Sequence, residues 1–190
     1  MPVLIDHLEN RLGLMAGAWS ARDGAPSGTP QVAAFREGRL ERVQAFATIG
    51  LSRTPLRSPD SDRHYHLELL ACDYVKDSED HGPLPGVVEF VAERMVAAGH
   101  ALLRGDVIPL PVPLPGAGMT ALYAALPVYF DDGFSSVTIE NGADVAIVWL
   151  VPITSAEADF VRIKGWPAFE QALVAQDPDL LDMDRAGLDL

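Results

Sequence analysis

The sequence predicts one α+β domain, a mixed or largely antiparallel sheet with helices packed on it. Three observations carry that prediction. Apolar residues spaced three or four apart mark helices near the start, in the middle and near the end, short runs rich in β-branched and aromatic residues mark strands between them, and clusters of Pro, Gly, Ser and Asp separate the two kinds of segment. At 190 residues, 48% hydrophobic and only 22% charged, the chain is within the range of one domain and can bury a sizeable core.

Ile5, Leu8, Leu12 and Met15 share one helical face, which places a first helix over Ile5 to Trp19; Ser20 to Pro30, with its two Gly and two Pro, is a loop. Residues 1–27 are thus expected as a helix and loop extension. Val32 to Arg36 and Val43 to Ile49 are strands joined through Glu37-Gly38-Arg39 as a hairpin or meander. Ser52 to Arg63 carries almost no large apolar residue and reads as a surface loop. From His64 to Tyr74 the side chains alternate, with Tyr65, Leu67, Leu69 and Ala71 on one face and His64, His66, Glu68, Leu70 and Cys72 on the other. Both faces are partly apolar, so this is a central strand. Lys76 to Gly82 is a polar turn.

Leu84 to His100 carries the clearest helical stripe: Val87, Phe90, Val91, Met95 and Val96. In the following stretch Pro109, Pro111, Pro113 and Pro115 alternate with aliphatic residues. Proline cannot donate to a ladder, so the stretch is an edge segment or a covering loop. Leu122 to Phe130, Ser135 to Ile139 and Val145 to Ile153 are three more strands, the last a nearly continuous apolar run of the kind buried on both faces. Helices over Ser155 to Ile163 and Pro167 to Ala175 close the chain, and there is no internal repeat.

A formal charge of −13 argues against nucleic acid and anionic membranes, which recruit Lys and Arg, and favours a basic protein as partner. The same charge also serves solubility. Cys72 is the single cysteine, which excludes an internal disulfide, and its apolar neighbours predict a buried thiol suited to a reducing cytoplasm. No secretory signal or run of 18 apolar residues is expected, so the sequence reads as a cytoplasmic protein.

Five separated pieces occur in a characteristic order: Thr48-Ile49-Gly50-Leu51-Ser52, the strand through Glu68-Leu69, Gly105-Asp106, Pro152-Ile153-Thr154-Ser155-Ala156-Glu157, and Gly165-Trp166 followed by Asp184-Arg185. Together they resemble bacterial members of the suppressor-of-fused-like family over about residues 28 to 190. The resemblance implies an α/β sandwich, no catalytic activity, no cofactor and a role in binding proteins. Bacterial relatives resemble immunity proteins that neutralise a partner toxin. The first 27 residues and the proline-rich stretch from 109 to 115 carry none of the family's features.

The motif residues have structural explanations of their own. Gly50 ends a strand at a backbone angle that a Cβ would resist. Ser52 lacks the G-x-S-x-G frame of a nucleophile. Thr154 and Glu157 have capping-box spacing, and Pro152 is expected to end the preceding strand. The sharpest chemical reading is His64, His66 and Glu68, which alternate on one face as imidazole and carboxylate ligands do in some strand-built metal sites. It would make the chain a metal-binding protein or a hydrolytic enzyme; against it, His81 and His100 supply no evident fourth ligand. The structural alternative pairs Glu68 with an arginine across the sheet or with Arg185. Asp73, Asp77, Glu79 and Asp80, with Asp177, Asp179, Asp182 and Asp184, form either a solvated face or a docking surface for a basic protein, and they lack a calcium loop. Trp19, Tyr74 and Trp166 are equally suited to an interface or a core; Trp149 lies in an apolar strand and belongs to the core.

Overall fold

The structure is a computed structural model describing residues 2–75, 81–116 and 118–190. It contains one mixed sheet in which nine strands take part: β1 Gly13–Trp19, β2 Gln31–Glu37, β3 Val43–Ile49, β4 Leu56–Arg57, β5 His64–Tyr74, β6 Val107–Pro109, β7 Met119–Ala125, β8 Ser136–Thr138 and β9 Asp144–Thr154. The helices are α1 Pro2–Leu12, α2 Leu84–Ala98, α3 Ser155–Lys164 and α4 Trp166–Gln176.

The sheet runs β1-β2-β3-β5-β9-β7-β6, with β4 on β5 and β8 on β9. Every pairing is antiparallel except that of β5 with β9, which runs from His66 opposite Val145 to Leu70 opposite Trp149. The two strands richest in apolar residues on both faces therefore lie at the centre, where each face is covered. Leu67, Leu69 and Ala71 of β5 pack with Leu84, Val88 and Val91 of α2. Leu70 and Cys72, one residue out of phase, share the opposite core with Leu4 and Leu8 of α1, Val161 of α3 and Phe169 of α4. Alternation along β5 thus separates two cores across one sheet.

The first segment differs from its sequence reading. The helix ends at Leu12, and residues Gly13 to Trp19 are an edge strand paired with β2. Gly13 makes the change of direction: its φ is +87°, and a Cβ there would lie 1.9 Å from the Arg36 carbonyl oxygen. The spacing that added Met15 to the helical stripe could not register this contact with a strand more than twenty residues away. The first 27 residues are consequently more than a helix and loop, since Leu4, Leu8 and Leu12 are core residues.

Three further elements depart from expectation. Ser52 to Arg63 is not wholly a surface loop, because β4 pairs with β5 and both Leu56 and Ser58 are buried. The strand expected over Leu122 to Phe130 is shifted to Met119–Ala125, and after it Val128 N donates to Leu126 O (2.8 Å) and Phe130 N to Pro127 O (3.1 Å) as the chain turns. Pro152 lies inside β9 instead of ending it. β5 stops pairing at Trp149, so beyond that point β9 is bonded by β7 on one side, a place that tolerates the missing N–H. Pro109 likewise ends the edge strand β6, and the proline-rich stretch continues as a loop whose Leu114 N donates to Met119 O (2.8 Å).

Candidate functional site

The motif residues assemble into two buried polar joints. At the first, β3 ends and the chain turns through Gly50, at φ +106°, into a short helical turn over Leu51–Arg53. Glu68 of the neighbouring β5 is fully buried beside it and accepts five hydrogen bonds. Oε1 takes Gly50 N (2.9 Å), Ser52 N (3.1 Å) and Ser52 Oγ (2.7 Å); Oε2 takes Thr48 Oγ1 (2.5 Å) and Leu51 N (3.2 Å). Thr48 Oγ1 in turn accepts Leu69 N (2.8 Å), supplying the acceptor where the β3–β5 ladder has stopped. Burial raises the Glu68 carboxyl above its ordinary value, while the hydroxyl and amide donors pull it back.

The expected arginine partner of Glu68 is therefore replaced by hydroxyls and backbone amides. This also bears on the His64, His66 and Glu68 reading. Both Glu68 oxygens are occupied, His64 is exposed, and His66 Nδ1 lies 2.6 Å from the Ser52 carbonyl, to which it donates as the Nδ1 tautomer. Among the described residues no group of three His, Cys, Asp or Glu side chains is placed to hold a metal ion. Ser52 is itself 1% exposed and its hydroxyl proton is committed to Glu68.

Arg185 belongs to the second joint. Thr154 caps α3: Glu157 N donates to Thr154 Oγ1 (3.2 Å) and Thr154 N donates back to Glu157 Oε2 (2.7 Å). Glu157 is fully buried and carries a further load. Arg185 grips it through Nη1 to Oε1 (2.8 Å) and Nη2 to Oε2 (3.1 Å), and Leu188 N adds a bond to Oε1 (3.1 Å). The guanidinium also donates to the carbonyls of Pro152 (3.2 Å) and Ala186 (3.0 Å). One ion pair thus fastens β9, the start of α3 and the C-terminal tail together.

Gly105 and Asp106 form a tight turn before β6. Asp106 Oδ2 accepts Leu103 N (2.7 Å), and Gly105 N donates to Ala124 O (2.8 Å). A Cβ on Gly105 would lie 2.5 Å from Trp166 Cγ, and the residue sits at φ +97°. Gly105→Ala is expected to destabilise the fold by about 1–3 kcal/mol, the cost of holding a residue with a Cβ in such a conformation, before any displacement of Trp166 is added. Urea unfolding of the two proteins measures it.

Other sequence-selected residues are dispersed. Asp73 is 2% exposed and so is not part of a surface cluster, whereas Asp77, Glu79 and Asp80 lie outside the described residues. Asp177, Asp179 and Asp184 are exposed and Asp182 half-buried, along the tail after α4. Trp149 is core; Trp19, Tyr74 and Trp166 stand at the surface, with Tyr74 Oη donating to Asp179 (2.8 Å) and Trp166 stacked 4.7 Å from the Arg104 guanidinium.

A concave apolar surface that no motif marks lies where β7, β9, α4 and the tail meet. Its cavity of about 240 Å³ is lined by residues including Tyr123, Ala125, Tyr129, Trp149, Val151 and Leu173. Leu126, Val128 and Val174 line it too and are exposed. Three of its polar side chains are joined to one another: Arg104 is bonded to Glu170 through two nitrogens, and Tyr123 Oη donates to Glu170 (2.9 Å). Burial and then that bond raise the Tyr123 phenol, and the bond to Glu170 raises the Arg104 guanidinium.

Sheet, helices and internally committed polar side chains define an α+β protein whose motif residues make buried bonds between its elements. Residues 30–186 match the family described as suppressor of fused protein (SUFU), and the chain belongs to that family. No curated protein matches it at a significant level. A solved suppressor of fused homolog from Neisseria gonorrhoeae superposes with a TM-score of 0.75 at 14% identity, over 98% of this chain and 94% of that one. A chain of the Sufu-Fu complex gives 0.67 at 15% identity, over 94% and 84%, and Drosophila Suppressor of Fused gives 0.60 at 15%, over 84% of this chain but 43% of that one. At these identities the likeness establishes the fold. It covers nearly the whole chain, including residues in which the sequence motif was not legible. No helix among the described residues is long and apolar enough to cross a membrane.

Proposed function

We propose that this chain is a non-catalytic, cytoplasmic protein-binding domain, and that its partner is a basic toxin which it neutralises as an immunity protein. Membership of the suppressor of fused family carries the reading, since a structure of that fold was solved as a complex with the protein Fu. The commitment of Glu68, Ser52, Glu157 and Arg185 to internal bonds supports the absence of catalysis by the motif. A formal charge of −13 supports a basic partner, because complementary charge raises the rate of encounter.

The test is affinity capture with a tagged chain from the source cell, followed by co-expression of the captured protein. The expected result is one specific basic protein that arrests growth alone and is tolerated in the presence of this chain. Capture of nothing above background removes the binding reading. A specific partner that is harmless alone removes the toxin while leaving the binding domain.

A further inference from the structure

Resting on the protein-binding reading, we infer that the cavity between β7, β9 and α4 is the anchor pocket of the docking surface, and that it takes one apolar side chain of the partner from a segment flanked by basic residues. Its size is the first argument. At about 240 Å³ it falls below the roughly 300–1,000 Å³ usual for small-molecule sites. It exceeds the roughly 150 Å³ apolar cavity that admits benzene. A leucine or phenylalanine side chain is the occupant that volume suits.

The rim is the second argument. Val174 is 83% and Val128 66% exposed, and with Leu126 they give the mouth an apolar margin. Trp166 extends it along the same helix, where with Val174 it lines an adjoining shallow depression. A large side chain seated in a pocket and ringed by apolar contacts that exclude water is the arrangement that concentrates binding energy in protein interfaces. One residue of the wall, Trp149, is 1% exposed and its indole N–H has no acceptor among the described residues.

Charge decides what flanks the anchor. Arg104, the cation at the rim, is paired with Glu170, and Arg185 of the tail is buried on Glu157. The tail beside the pocket otherwise presents Asp177 and Asp179, both exposed, with Asp182 and Asp184 following. Asp177 in the lining, with the other tail aspartates following it in the chain, favours lysine or arginine next to the anchor and disfavours acidic segments.

The probes are three synthetic pentapeptides with leucine, phenylalanine or alanine between pairs of lysines, titrated to millimolar concentration into nitrogen-15-labelled protein. The leucine and phenylalanine peptides are expected to shift the Trp149 indole N–H and the amides of Ala125, Leu126 and Val174, the alanine peptide far less, and added salt to weaken all three. Leu126→Ser with Val174→Ser, both at exposed positions, is expected to weaken binding roughly tenfold, a modest hot-spot loss. No shifts, shifts centred elsewhere, or equal response to the alanine peptide would overturn the pocket. The double variant also separates the two proposals: a captured partner that binds it as tightly as the parent overturns this surface and leaves the binding domain intact, whereas no partner at all removes both.

Discussion

Replacing Arg185 by alanine is expected to lower stability by about 3–5 kcal/mol, the usual cost of removing one member of a buried ion pair. Arg185 is 7% exposed and Glu157 is fully buried, so the loss strands a carboxylate that water cannot reach. Two backbone carbonyls, of Pro152 and Ala186, lose their donor as well. Pairing the change with Glu157→Gln should recover part of the loss, because the stranded charge goes with it; the two substitutions are then strongly non-additive. A pH series gives the sharper test. Burial pushes the Glu157 carboxyl up, but Arg185 and the amides of Thr154 and Leu188 outweigh it and hold the group below its ordinary value of 4.5. A carboxyl with a lowered folded pKa contributes stability above the unfolded pKa and loses it as pH falls through the folded one. The difference between parent and Arg185→Ala, read from urea unfolding, should therefore narrow on acidification below about 4.5. A gap that stays constant through that range would mean the arginine acts by packing and not by charge.

How much of this was legible in the sequence depends on the distance over which each feature is decided. β5 was readable because alternation within eleven residues reports both of its faces, and it occupies the predicted span His64–Tyr74. The helix α2 was readable from its stripe, and the start of α3 from Thr154 and Glu157, since a cap is a contact over three residues. β1 was not, because Gly13 is forced by Arg36 on another strand. The partners of Glu68 lie 16 to 20 residues away and are hydroxyls and amides, which carry no signature in the sequence, whereas an arginine is the counterion that composition alone suggests. Glu157 and Arg185 are 28 residues apart, and only the fold shows that the tail returns to α3. The apolar cavity was least legible of all. It gathers two or three residues each from β7, β9, α4 and the tail, each of which reads as ordinary core or surface in its own segment.

Glu68→Ala is the second large effect and should have the opposite relation to pH. Removing the carboxylate leaves the backbone amides of Gly50, Leu51 and Ser52 facing an empty buried space, and an unsatisfied buried donor costs about 1–3 kcal/mol. The hydroxyls of Thr48 and Ser52 can rotate to other acceptors, so the three amides set the sum at roughly 3–9 kcal/mol before the void is counted. Glu68→Gln should be much milder. With its amide nitrogen in the place of Oε2, Oε1 keeps its three donors, and the Thr48 hydroxyl can turn from donor to acceptor. Only the 3.2 Å bond from Leu51 N is then lost, at about 1–3 kcal/mol. Burial holds the Glu68 carboxyl above its ordinary value of 4.5 in the folded chain. The folded state accordingly binds this proton more tightly, and the associated stability is fully present below the unfolded pKa and lost as pH rises through the folded one. Glutamine does not titrate, so the deficit of Glu68→Gln should shrink with rising pH, whereas that of Arg185→Ala shrinks with falling pH. A Glu68→Gln deficit that instead widens as the pH is raised would show that the five donors, and not burial, set the charge of this joint.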